Sequence, residues 1–169
     1  MSIFTNCIEW VLQLEDRGLT GIVKDLGDGA GLTRFGISQK NNPNVPPAFF
    51  STYTSAEALA EAKVIYYGAY WVPSHAGDFQ TDLLAATHLS FSVNAGVSRG
   101  LKVFQQVLGV TPIDGHYGPV TLAAVEHISD EAAAAGALRA AQEAFYQAIG
   151  GPNLAGWLHR VRAVYPDLP

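Results

Sequence analysis

Six glycines fall between Gly18 and Gly36, in a chain that elsewhere repeats its apolar residues at helical spacing. A stretch this rich in glycine cannot carry a helix onward, because each glycine gives up more backbone freedom on ordering than any other residue. The fold must therefore break after its first helix, insert a short irregular element, and then resume as helices. Short β-type runs inside the segment, Ile22-Val23 and Leu32-Thr33, predict a small β-hairpin or loop from Leu19 to Ile37.

On either side the pattern is helical. Ile3, Cys7, Val11 and Glu15 step by four, flanked by Phe4, Ile8 and Leu12, with Ser2 or Thr5 as cap and Gly18 as stop. Asn41 to Pro47 reads as a turn-rich linker. Thr54-Ser55-Ala56-Glu57 is a capping-box signature, and the helix behind it runs to about Trp71. Asp82 to Asn94 is apolar nearly all round, which predicts a central helix. Further helices are expected from Leu101 to Leu108 capped by Ser98, and from Pro119 to His127. A long helix starts after Ser129 or Asp130 and ends at Gly150-Gly151, and a last one, capped by Asn153, carries Trp157, Val161 and Val164. The expected fold is mainly α. It has a catalytic region over residues 1–96, including the small β element, and a packed helical subdomain over residues 97–169.

Composition narrows the function. The net charge of −5 argues against nucleic-acid binding, which calls for a basic stripe. A single cysteine, Cys7, excludes an intramolecular disulfide and sits on the apolar face of the first helix as a small core residue. The N-terminus lacks a basic region followed by an apolar core and cleavage site, so a cytoplasmic chain with no signal peptide and no stable membrane insertion is expected. The five histidines show no metal-ligand spacing, and no metal or cofactor is expected.

The chemistry concentrates at the helix–glycine junction. Glu15 ends the apolar stripe of the first helix, where partial burial and the negative end of the helix both favour a protonated carboxyl. That suits a general acid, unless Arg17 pairs with Glu15 rather than with Asp16. Acid-assisted cleavage of a glycosidic bond needs a second polar group across a cleft, and Asp25 and Asp28 are the two candidates. Either one is equally an aspartate bonding its own turn. Thr33 is a candidate for holding a water, or an ordinary strand threonine. Tyr70 and Trp71 are candidates for stacking on a sugar ring, or core aromatics. Asn94 is placed either to bond an acetamido group or to cap its own helix. The turn from Asp114 to Gly118 reads as a substrate contact or a tight helix–helix connection.

The ordered set Glu15, then Asp28-Gly29-Ala30-Gly31-Leu32-Thr33-Arg34-Phe35-Gly36-Ile37-Ser38, resembles glycoside hydrolase family 108, a family of phage and prophage lysozymes. The likeness continues through Ile65-Tyr66-Tyr67-Gly68-Ala69-Tyr70-Trp71, Val93-Asn94-Ala95-Gly96, Asp114 to Thr121, and Gly156-Trp157-Leu158-His159-Arg160-Val161. The resemblance implies a lysozyme-like α fold and muramidase activity on bacterial peptidoglycan, with Glu15, Asp28 and Thr33 as the catalytic set. It also implies a C-terminal part that binds peptidoglycan, release through a holin-type pore, and a monomer. The chain departs from the pattern in having Asp16-Arg17 after Glu15, a longer segment before Asp28 that keeps Asp25 in play, and Ser90 where an Asp is expected. A lytic transglycosylase, or a non-catalytic wall-binding or secretion-accessory protein, are the alternative readings.

Overall fold

The computed structural model describes residues 2–27 and 29–167. Helix α1 (Ile3–Glu15) is capped by Ser2, whose hydroxyl accepts from the Thr5 N–H. It buries Cys7, Ile8, Trp10, Val11 and Leu12. The glycine segment then forms three short antiparallel strands, β1 (Lys24–Asp25), β2 (Leu32–Arg34) and β3 (Ile37–Ser38), in that order across the sheet. The register pairs Lys24 with Thr33 and Thr33 with Ser38.

The expected capping box of Thr54 and Glu57 is present and starts α2 (Ser55–Tyr66). The helix does not stay regular to Trp71. It widens into a π turn over Tyr67–Trp71, followed by the short α3 (Val72–Ser74). A π turn inserts one extra residue per turn and so re-aims the side chains after it, here Tyr70 and Trp71.

Helix α4 (Asp82–Ala95), capped by Thr81, is buried on nearly every side, as its continuous apolar sequence predicts. Around it pack α1, α5 (Val97–Leu108), α7 (Glu131–Ile149) and α8 (Leu154–Arg162), with α6 (Pro119–Glu126) outside α5. Helix α5 begins at Val97, earlier than its expected start. The positive φ of 94° at Gly96 turns the chain between α4 and α5 without a side-chain cap. One hydrophobic core runs through all these elements, from Cys7 of α1 to Val161 of α8. Two ties close the end of the chain onto the start. The Trp10 indole N–H donates to the Asp167 carbonyl at 3.0 Å, and Asn6 and Tyr165 both donate to Asp82, at 2.7 and 3.1 Å. The fold is thus mainly α with a small β element near its start. Among the described residues no helix is long and apolar enough to cross a membrane.

Candidate active site

The hairpin is fixed before it can present anything. Phe35 and Gly36 both have positive φ, 50° and 74°, the sign pattern of a type I′ turn between β2 and β3. Positive φ is costly for a bulky residue such as Phe35, so surrounding contacts must hold it there. They do. The Phe35 ring is buried, and the Phe35 carbonyl accepts from the Tyr66 hydroxyl at 3.0 Å. Next to it, buried Arg34 donates to the carbonyls of Gly21 and Phe49, each at 2.7 Å, and of Tyr53 at 3.0 Å. Arg34 is therefore an anchor that ties the hairpin to the loop before α2.

This anchored turn lies against Glu15. A Cβ on Gly36 would stand 2.8 Å from Glu15 Oε2 and 2.8 Å from the Tyr66 hydroxyl. The glycine is required twice over, by its φ and by the closeness of the carboxyl. On its other side Glu15 Oε1 accepts from Arg160 Nη1 at 2.6 Å. Arg160 comes from α8, and its Nε donates to Ser90 Oγ of α4 at 3.1 Å. The Glu15 side chain is only 20% exposed. It sits between the hairpin turn, the aromatic end of α2 and the last helix. Burial, followed by the nearby Glu15 charge, pushes the hydroxyls of Tyr66 and Tyr70 above the ordinary tyrosine range. Both phenols stay neutral and can serve only as O–H groups at neutral pH.

The other sequence candidates separate clearly. Arg17 does not pair with Glu15; the partner is Arg160, and Arg17 is exposed. Asp16, which the sequence did not single out, is buried and structural. It accepts from the Thr20 hydroxyl at 2.8 Å and the Gly21 N–H at 2.6 Å, turning the chain out of α1. Asp25 lies on exposed β1 and accepts from the Gly27 N–H at 3.0 Å, the local turn bond of an Asx residue. Asp28 lies outside the described residues. The Thr33 hydroxyl is buried and, among the described residues, has no hydrogen-bond partner. An orphaned hydroxyl is costly in a core and needs a reason.

Tyr70 is half-buried against Tyr66, with ring centroids 5.4 Å apart. Trp71 is a correction to the sequence reading. It is 8% exposed and packed edge-on to Phe4 with its indole against Gly77, so it is a core residue rather than a sugar platform. Asn94 is exposed at the end of α4 and accepts from the Tyr146 hydroxyl at 2.5 Å. The Asp114–Gly118 turn is held from within by buried Gln105, which accepts from the Gly115 N–H at 2.8 Å and donates to the His116 carbonyl at 2.9 Å. That is a connection between helices. Among the described residues no group of three or more His, Cys, Asp or Glu is placed to hold a metal.

No sequence pattern marked Arg160 and Gly36 as neighbours of one carboxylate, or Ser90 as the acceptor behind Arg160. Arg160 stood within a recognised motif, but nothing in a one-dimensional pattern pairs it with a glutamate 145 positions away.

Comparison with known proteins follows the same lines. Residues 8–96 match the family described as Glycosyl hydrolase 108. That match runs from Ile8, within α1, through Gly96 and so includes Glu15, the hairpin, Tyr70 and Asn94. The chain is also similar to the structure of Brucella abortus SagA, with 26% identity, 94% of this chain and 88% of that chain covered, and a TM-score of 0.72. No curated protein sequence gives a significant match.

Proposed function

The chain belongs to glycosyl hydrolase family 108, and on that premise we propose that it is an N-acetylmuramidase. It would cleave the β-1,4 bond between N-acetylmuramic acid and N-acetylglucosamine in peptidoglycan. Membership supports glycoside hydrolysis as the reaction class and peptidoglycan as the polymer. The particular bond and the residue roles are our reading.

The observation that carries it is the setting of Glu15. Oε1 is taken by Arg160, while Oε2 faces the hairpin turn and makes no hydrogen bond to a described residue. The arrangement gives the two oxygens different jobs. In this reading Arg160 holds Oε1, although its charge favours the ionised carboxyl, and Oε2 is the oxygen through which the proton passes. In the proposed reaction that proton passes to the glycosidic oxygen, the bond from that oxygen to the anomeric carbon breaks, and water adds to the resulting oxocarbenium-like centre while giving up its proton to a carboxylate of the site. Because Asp25 serves its own turn, the second carboxylate in this reading is Asp28. Thr33, with its unsatisfied hydroxyl, is proposed to hold the attacking water. Tyr70 and Asn94 are proposed to contact the sugar.

The test is clearance of purified sacculi by wild type and Glu15→Gln, with mass spectrometry of the borohydride-reduced products. New reducing ends on N-acetylmuramic acid are expected from wild type. The variant is expected to lose turnover by about a hundredfold or more, the usual share of a general acid. Reducing ends on N-acetylglucosamine, or 1,6-anhydro ends, would overturn the bond or the reaction proposed. An active, folded Glu15→Gln would overturn the acid.

A further inference from the structure

A cleft of about 330 Å³ opens beside the Glu15–Arg160 pair, between the ends of α1 and α4 and the outer face of α8. Its wall includes Gln13, Arg17, Asn94, Trp157, His159 and Arg160. The volume falls within the ordinary range of small-ligand sites. In a chain with a net charge of −5, this wall holds two arginines and a histidine and no carboxylate. Arg17 has no ion-pair partner among the described residues, so its charge is available to something outside the chain.

The neutral part of the wall is built rather than incidental. Trp157 stacks on Tyr146, with centroids 5.1 Å apart and planes 22° off parallel. Burial pushes the Tyr146 hydroxyl up to about 12, so it remains an O–H donor, and it donates to Asn94 Oδ1. That bond fixes which way the Asn94 amide points and leaves its NH₂ group as the donor still free. Trp10 and Trp71 are buried, so Trp157 is the one tryptophan with a partly exposed ring. An aromatic face, an oriented amide and the unpaired cation of Arg17, with Arg160 already engaged by Glu15, suit a saccharide that carries both an acetamido group and a carboxylate.

We propose that the α1–α4–α8 cleft is a binding subsite for a carboxylate borne by the glycan, with Arg17 as its principal cationic contact and Trp157 as the stacking face. The subsite rests on the glycosidase reading for its substrate class, since a wall glycan offers carboxylates of two kinds. One is the free lactyl group of a stem-less muramic acid. The other is the set of carboxylates on a peptide stem, where the lactyl group is itself an amide. Arg160 borders the cleft while holding Glu15, so a ligand seated there lies next to the acid.

The test is a fluorescence titration of the intact protein, read through Trp157, at low and high salt. Three soluble probes are used: neutral di-N-acetylchitobiose, the N-acetylglucosamine–N-acetylmuramic acid disaccharide with a free lactyl carboxylate, and the same disaccharide bearing a peptide stem. Saturable binding is expected for at least one acidic probe, weakened about tenfold in Arg17→Gln and by added salt, with the fluorescence change lost in Trp157→Leu. Binding of the stem-less disaccharide assigns the lactyl group. Binding of the stem-bearing one alone assigns the stem.

Chitobiose binding as tightly as both acidic probes overturns the proposal. So does an Arg17→Gln affinity within twofold of wild type for each acidic probe. Arg17 is exposed, so the variant keeps its fold, which circular dichroism checks. If wild type leaves sacculi uncut while the Arg17-dependent titration holds, the glycosidase reading fails and the subsite stands. If sacculi are cut and no acidic probe titrates, only the subsite fails.

Discussion

Glu15 Oε1 and Arg160 Nη1 meet at 2.6 Å, joining the end of the first helix to the last one. The side chains are 20% and 13% exposed, so the pair is neither a solvated surface bridge nor a fully dry one. Removing the cation with Arg160→Met keeps the side-chain stem but strands Glu15 and frees Ser90 Oγ. The expected cost is about 2 kcal/mol, between the values for exposed pairs and for buried pairs that lose one partner. Urea denaturation measures it. In a Glu15→Gln background the same substitution should cost about 1 kcal/mol less, because the interaction it breaks is already weakened. Equal costs in both backgrounds would mean that Arg160 acts through packing alone.

Gly36→Ala probes the contact from the hairpin side. The new methyl group meets Glu15 Oε2 and the Tyr66 hydroxyl at 2.8 Å, on a backbone with φ of 74°. The left-handed conformation alone costs about 1–2 kcal/mol for a residue with a Cβ. The variant should fold with a lowered midpoint and lose at least about tenfold in turnover, since a small displacement of a reacting group is expensive. Turnover at the wild-type level would show that the position of Glu15 against the turn does not matter.

Thr33→Val separates a structural threonine from a functional one. The hydroxyl is buried and has no partner among the described residues, so replacing it with a methyl group should leave stability unchanged or raise it by up to about 1 kcal/mol. If the hydroxyl holds a water for the reaction, kcat falls by about tenfold or more while the thermal midpoint does not fall. A drop in stability with unchanged kcat assigns Thr33 to the sheet.

His88 sets a pH dependence unconnected with activity. It lies in the centre of α4 between Phe79 and Phe104, and burial, the largest effect, lowers its pKa to about 4. An unfolded histidine ionises near 6.5. Between those values the unfolded chain binds the extra proton, so this contribution is complete above about pH 6.5, falls as the pH drops toward 4, and is flat below. The loss across the window is about 3 kcal/mol. Urea midpoints from pH 7 to pH 4 should show it, and His88→Gln should flatten the slope. An unchanged slope in the variant would place the effect on other groups.

Much of the frame was legible from the chain. The helix starts at Ser2 and Thr54 carry their signal in the capping residues themselves, and the burial of α4 follows from a run with no polar face. The glycines announced a break in the helical pattern, and the three short strands fill it. What stayed hidden were relations across distance. Trp71 reads as an exposed aromatic only if α2 continues regularly; the π turn takes it into the core. By residue type alone both Asp25 and Asp28 are open as the second carboxylate; the bond from the Gly27 N–H shows Asp25 engaged in its own turn, and Asp28 lies outside the described residues. Ser90 reads as a departure from a motif, while in space its hydroxyl accepts from the arginine that holds Glu15.

The arginine that grips Glu15 is also a matter of timing. Arg160 lies in the last helix of the described fold, while the family match ends at residue 96. A ribosome finishes Glu15, the hairpin and α4 long before it delivers the guanidinium that fixes Oε1. A growing chain therefore carries Glu15 without its holder, and the Glu15–Arg160 pair forms only when α8 docks. Synthesis itself thus delays completion of the site, and a protein cut before Gly151 would keep the acid while losing both its grip and the Trp157 wall of the neighbouring cleft.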